Sequence, residues 1–340
     1  MKYKKRTIGI LTIAIIFVSY SLISLFTQRY SQPTELGFTF SKKYAEYLGL
    51  DWKEAYKASI DELGLDYVRI PVYWTDVEHD KDSYWFDDVK FQVEYAQEKE
   101  IKSVVVLGMR QPRWPECFVP DWAQNLSVAE REIQINELVT QSVNALKELP
   151  GIEAWQVENE PMLGMFGVCP PYDFEQLKRE VELVKSLDTR PVIVTASGEL
   201  STWYRETKIA DIFGSTMYRI TGNSITGTWK AYWFIPASWY RIKAMALGIE
   251  MSNYWIMELQ AEPWLEEDIH TLSLEEQLNI FNSKQLEDHI EYARLVGSPR
   301  VYLWGVEWWY YLKTTFDNDL LWHAVKEEVG KNSYHYHKFY

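Results

Sequence analysis

The sequence predicts a closed parallel (β/α)8 barrel, and three observations carry that expectation. Eight short apolar runs alternate with amphipathic stretches over about 310 residues, a length that suits one large single-core α/β domain. No glycine-rich phosphate turn follows the first run, as a nucleotide-binding open sheet, the rival architecture, would lead one to expect. Polar residues gather where the runs end, and a barrel brings all eight of those ends to one face.

In chain order, Lys2, Lys4, Lys5 and Arg6 precede an uncharged stretch from Thr7 to Phe26, about 20 residues and long enough to span a bilayer as a helix. Residues 1–30 are therefore expected to form a basic cytoplasmic stub and a transmembrane signal anchor, with residues 31–340 as one extracytoplasmic barrel domain. A cleaved signal peptide is the competing reading. Ser21-Leu22-Ile23-Ser24 is a poor small-x-small cleavage site.

The expected strands are Leu36–Phe40, Tyr67–Val72, Ser103–Leu107, Ala154–Val157, Val192–Thr195, Ile212–Thr216, Tyr254–Met257 and Val301–Trp304, each a short apolar run. Helix starts fall between them. Ser127 with Glu130 and Ser273 with Glu276 read as capping boxes, and Asp173 with Gln176 opens a helix after Pro170-Pro171. Gly297 followed by Pro299 stops the helix that begins near Ser273.

The formal net charge is −14; residues 1–30 hold five basic groups and no acid, which leaves −19 on the rest. Such an acidic domain argues against nucleic acid and favours a neutral ligand such as carbohydrate. No Cys/His spacing resembles a metal site, and neither metal nor organic cofactor is expected. Cys117 and Cys169 permit one disulfide in an exported chain, although spacing alone leaves two unpaired thiols open. Nothing in the sequence indicates an oligomeric state.

Two carboxylates stand out. Glu160, in Trp155-Gln156-Val157-Glu158-Asn159-Glu160-Pro161, and Glu258, in Tyr254-Trp255-Ile256-Met257-Glu258-Leu259-Gln260, each close an apolar run, where an ionised side chain is costly without a partner or a chemical task. Hydrolysis of a glycosidic bond requires such a pair. One carboxyl protonates the leaving oxygen; the other, about 5 Å away, attacks the sugar and the anomeric configuration is retained.

Asn159-Glu160-Pro161 at the fourth strand resembles the Asn-Glu-Pro motif of clan A glycoside hydrolases, which include cellulase-like, mannanase-like and β-galactosidase-like families. The resemblance implies that Glu160 is the general acid/base and Glu258 the nucleophile. It implies further that Arg69, in Tyr67-Val68-Arg69-Ile70-Pro71, supports the nucleophile, that Asn159 bonds the sugar 2-hydroxyl, that Tyr218 donates to the nucleophile and that Trp304 lies under the sugar. One departure is that none of the six histidines lies near Met109-Arg110-Gln111 or Met217, where cellulase-like members often carry them. Tyr73-Trp74-Thr75-Asp76 and Arg113-Trp114-Pro115-Glu116 look more like β-galactosidase-like members.

Trp114 and the aromatic connection after the sixth strand, with Trp229, Tyr232, Trp233 and Phe234, offer flat faces for sugar rings. Glu158, Glu199, Glu262 and Glu307 also lie near strand ends, and Glu262 is expected to bind a hydroxyl or cap a helix. The expected activity is retaining hydrolysis of a β-linked glycan, with transglycosylation as a close variant and a catalytically silent carbohydrate-binding surface protein as the alternative. A nucleotide-dependent glycosyltransferase would need a nucleotide-phosphate site, and no motif supplies one.

Overall fold

A computed structural model of the chain describes residues 12–13, 15–20, 34–223, 227–229, 232–265 and 267–336. Eight parallel strands, β1 (Glu35–Thr39), β2 (Tyr67–Pro71), β3 (Lys102–Leu107), β4 (Ile152–Val157), β5 (Val192–Ala196), β6 (Ile212–Met217), β7 (Tyr254–Gln260) and β8 (Arg300–Trp304), close into a barrel. Each strand pairs with its neighbours in sequence, and β8 closes the ring onto β1.

The two faces of these strands are both apolar for different reasons. Tyr67, Val104, Ala154, Ile193, Ile212, Trp255, Met257 and Tyr302 fill the lower interior, while a larger cluster packs strands against the outer helices. Side chains therefore alternate between barrel lumen and helix layer, as a parallel sheet buried on both faces requires. At the base, the Arg300 guanidinium lies 3.5 Å from the Tyr67 ring centroid and 4.1 Å from that of Trp255, closing the lower end with stacked planes.

Ser127 caps the helix Val128–Leu146 with a complete capping box, and Asp173 caps Phe174–Leu187. The stretch after Ser273 departs from the expected single helix. It folds as Leu274–Ile280 and Ser283–Arg294, because the Asn282 side chain accepts from the Gln285 N–H and starts a second helix while Phe281 is buried. A short antiparallel hairpin, Thr221–Asn223 with Gly227–Trp229, follows β6.

Residues 12–13 and 15–20 are helical, with Ile13, Ile15, Ile16 and Phe17 exposed. Most of the stretch expected as an anchor, Thr7 to Phe26, lies outside the described residues. Among the described residues no helix is long and apolar enough to cross a membrane. Cys117 and Cys169 form a disulfide that ties the β3–β4 connection to the loop after β4.

Candidate active site

Glu258 does not end β7, as the sequence pattern suggests, but sits inside it. Ser215 of β6 pairs with Ile256 whereas Thr216 pairs with Glu258, and on the other side Val301 pairs with Ile256 whereas Leu303 pairs with Leu259. β7 thus carries one extra residue, a bulge at Met257–Glu258. Strict alternation after Trp255 and Met257 would turn Glu258 toward the helices, and the bulge re-aims it into the barrel mouth.

Arg69 then fixes it. This fully buried guanidinium donates from Nη1 to Glu258 Oε2 at 3.2 Å and to the Met257 carbonyl at 3.2 Å, and from Nε to Gln156 Oε1 at 2.8 Å. Its Nη2 donates to Asn159 Oδ1 at 2.6 Å. One rigid fork therefore links β2, β4 and β7, which a lysine could not do. The Tyr218 hydroxyl donates to the other Glu258 oxygen, Oε1, at 2.5 Å. Burial and the Glu258 charge hold that phenol well above its ordinary range, so it stays a donor.

Glu160 enters from β4 through a backbone in the left-handed region, with φ of 45° at Glu160 and 57° at Glu158. Its N–H donates to Thr195 Oγ1 at 3.0 Å, and Thr216 donates to Glu160 Oε1 at 3.0 Å. Thr216 is the cross-strand partner of Glu258, so one β6 threonine links both carboxylates. Burial, then the charges of Glu258 and Glu116, push Glu160 well above the usual carboxylate range, as a proton donor near neutral pH requires.

The two carboxylates open into a cavity of about 690 Å³ at the C-terminal face of the barrel. Trp304 and Glu262 line it, and both bind Arg113. The Arg113 guanidinium is stacked 3.8 Å from the Tyr44 centroid and 4.0 Å from that of Trp304. It forks onto both oxygens of Glu262 and reaches Glu307 Oε2 at 2.8 Å. Burial raises Glu262 to about 7 against the opposing pull of Arg113.

Trp114 lines the mouth and is 63% exposed, edge-on to Phe166. Phe166, Trp264 and Tyr218 continue an aromatic wall with successive centroid separations of 5.7 Å down to Glu258. Trp233 does not line the cavity. Its ring is 70% exposed against Phe234, and the neighbouring Tyr232 takes the place at the wall that the pattern gave to Trp233. Trp229 lies in the hairpin.

Glu158 turns away from this mouth. Its carboxyl accepts the Met109 N–H at 2.8 Å and the Arg110 N–H, and faces Glu180, itself bonded by Tyr172 and Gln176. Glu199 does line the cavity, bonded by Tyr240 and the Tyr218 N–H, and burial raises it to about 7.

Two cavity groups escaped the strand-end pattern. Arg113 and Glu116 lie well past Leu107, in a turn where each has positive φ, 97° and 74°. Glu116 is buried at the cavity wall, where Asn159 Nδ2 donates to its Oε2 at 3.2 Å. The dense polar run Arg110-Gln111-Pro112-Arg113 before Glu116 was the available signal. Among the described residues no cluster of His, Cys, Asp and Glu suits a metal ion.

No protein-family model matches the chain, and no curated protein does. Solved structures do. The barrel is similar to a GH5_18 protein from Bifidobacterium longum subsp. longum in complex with Manβ1-4GlcNAc, at 14% identity and TM-score 0.57, covering 80% of this chain and 68% of that one. It is similar to a beta-glucosidase from Exiguobacterium marinum, at 13% identity and TM-score 0.55, covering 81% and 90%. A xylanase 10B from Thermotoga petrophila in complex with xylobiose matches at 15% identity and TM-score 0.52, covering 88% and 94%. These likenesses establish the (β/α)8 fold, in keeping with the barrel of clan A glycoside hydrolases.

Proposed function

We propose that the chain is a retaining glycoside hydrolase that cleaves a β-glycosidic bond of an oligo- or polysaccharide, with Glu258 as nucleophile and Glu160 as general acid/base. The observation that carries this reading is the unequal setting of two carboxyls beside one cavity. Glu258 receives a guanidinium and a phenol, the environment of an ion, while Glu160 receives a threonine hydroxyl and burial, the environment of a neutral acid.

In the first half-reaction Glu258 attacks the anomeric carbon as Glu160 protonates the leaving oxygen. In the second, Glu160, now ionised, takes a proton from water, which displaces Glu258. A sugar hydroxyl in place of water gives transglycosylation. Like the neighbours' complexes with Manβ1-4GlcNAc and xylobiose, the aromatic wall favours a carbohydrate ligand. A binding protein without turnover would have no use for a nucleophile held by two donors.

The apolar stretch Thr7–Phe26 belongs to the same proposal as a membrane anchor that holds the barrel outside the cytoplasm. Fractionation tests it: full-length protein found free in the medium, or in the cytosol, would reject the anchor.

Function is tested by screening labelled oligosaccharides against the wild type, E160A and E258Q, with proton NMR of the first-formed anomer. Retention in the wild type and no turnover by E258Q are expected. First-formed product of inverted configuration would refute the double displacement.

A further inference from the structure

We infer that Glu116 contacts the substrate and forms, with the Asn159 amide, a donor–acceptor pair for the hydroxyl on the sugar carbon next to the anomeric carbon. The glycone is then a sugar with a free hydroxyl at that carbon, and not an acetamido or amino sugar. The inference rests on the hydrolase reading above, which places the anomeric carbon at Glu258.

The orientation of the amide is settled by its partners. Asn159 Oδ1 accepts from Arg69 Nη2 at 2.6 Å, so Nδ2 is the atom that reaches Glu116 Oε2, at 3.2 Å. Arg110 Nε lies 3.9 Å from the same oxygen. Both contacts fall on Oε2, and Oε1 is the oxygen offered to a ligand in the cavity.

The pair also sits beside the nucleophile. Arg69 touches Glu258 and Asn159 with two nitrogens of one guanidinium, and burial followed by the Glu258 charge raises Glu116 to about 8. Two atoms of a sugar ring flank the anomeric carbon, the ring oxygen and the next carbon. A ring oxygen only accepts, so it can serve Glu116 only while that carboxyl keeps its proton, whereas a hydroxyl serves either form. A hydroxyl on the next carbon accepts from Nδ2 and donates to Glu116, satisfying both. An ammonium there would face the Asn159 donor, and an acetamido group would need the volume that Glu116 occupies.

The surrounding loop is built to hold this carboxyl. Glu116 keeps a left-handed backbone with φ of 74°, its carbonyl accepts the Gln111 N–H at 2.7 Å, and a Cβ on Gly167 would stand 2.8 Å from both Cβ and Cγ of Glu116. Non-glycine residues persist in such conformations where their surroundings over-determine them, commonly at functional sites.

The test compares kcat/KM for 4-nitrophenyl β-glycosides of gluco, galacto and manno configuration with their 2-deoxy counterparts, in the wild type, E116A and the isosteric E116Q. E116A should slow the 2-hydroxy substrate by about 3- to 10-fold at neutral pH, the range for a hydrogen bond between uncharged groups. It should slow the 2-deoxy substrate less, so that the ratio of the two kcat/KM values falls. Equal slowing of both, or faster wild-type turnover of a 2-acetamido or 2-amino glycoside, would overturn the inference. If E116A melts early, E116Q carries the comparison with the opposite expectation: its amide still pairs with a hydroxyl and should largely keep the ratio.

If the wild type turns over no glycoside, the hydrolase reading fails separately, and calorimetry with the S-linked glycosides and their 2-deoxy counterparts decides about Glu116. A preference for the hydroxylated ligand that E116A erases and E116Q largely keeps upholds the pair. Equal binding, or none, refutes it.

Discussion

Arg69 holds Glu258 from the far side of the barrel, with 3.2 Å between Nη1 and Oε2 and both side chains withdrawn from solvent. Replacing Arg69 with methionine strips the guanidinium from Glu258 and from the Asn159 amide oxygen, leaving a buried carboxylate without its cation. We expect a loss of about 3–5 kcal/mol of stability, the usual cost of stripping one partner from a buried ion pair. Turnover should fall even where the variant is fully folded. Urea unfolding and kcat/KM at a temperature well below the transition check both.

E160A should retain the first step for substrates whose leaving group needs no proton, such as 2,4-dinitrophenyl glycosides. Added azide should then take the place of water and yield a glycosyl azide of retained configuration. E258Q should show neither reaction. Product analysis by NMR distinguishes the two variants, and azide rescue in E258Q with retained configuration would exchange their roles.

The alkaline limb of the rate profile should report Glu160, which in the proposed mechanism acts in its protonated form. The Glu116 charge helps to raise Glu160, and Glu116 itself begins to ionise as pH approaches about 8. Removing that charge in E116Q allows Glu160 to lose its proton at lower pH. The residual kcat/KM of E116Q should therefore decline at lower pH than that of the wild type.

Glu158 and Glu180 make stability itself depend on pH. Burial raises both, Glu180 from 4.5 to about 7. Acids with raised folded values bind more protons folded than unfolded, so their stabilisation is complete below about 4.5 and is lost as pH rises through about 7. The wild type should lose stability from about pH 5 to pH 8, and E180Q should flatten the slope. Denaturant midpoints across that range provide the measurement.

The disulfide closes a loop with a sequence separation of 52 residues, for which chain entropy gives about 4 kcal/mol. C117S/C169S should lose about that much unfolding free energy, read from denaturant midpoints. Because Cys117 follows Glu116 directly, preference for 2-hydroxy over 2-deoxy substrates should weaken as well.

Glu160 and Glu258 were legible as carboxylates that close apolar runs, whereas Arg69 and Tyr218 came only from the resemblance of their segments to clan A; hydrogen bonds join Arg69 and Tyr218 to Glu258. The barrel was legible from the same apolar runs. The β7 bulge was not, since it is a relation between three strands and no single strand displays it. Arg113 and Glu116 drew notice only through the resemblance of their segment to β-galactosidase-like members, because left-handed backbone in a loop without periodicity hid that both face the cavity. Trp233 shows the opposite failure: composition marked the connection as aromatic, but which ring faces the cavity depends on how Arg219 binds the Tyr232, Trp233 and Ile235 carbonyls. The split after Ile280 was missed because Asn282 reads as one more polar residue until its side chain is seen capping.

The extra residue in β7 shifts the phase of everything after it. Counting in twos from Trp255 assigns Glu258 to the outer layer, and counting backward from Gln260 assigns it to the lumen; both counts are correct on their own side of Met257. Met257 in turn has room only because its neighbour on β6, Gly214, has no side chain: a Cβ there would collide with Met257. A single methyl group on an adjacent strand could thus displace the Glu258 carboxylate without entering the cavity.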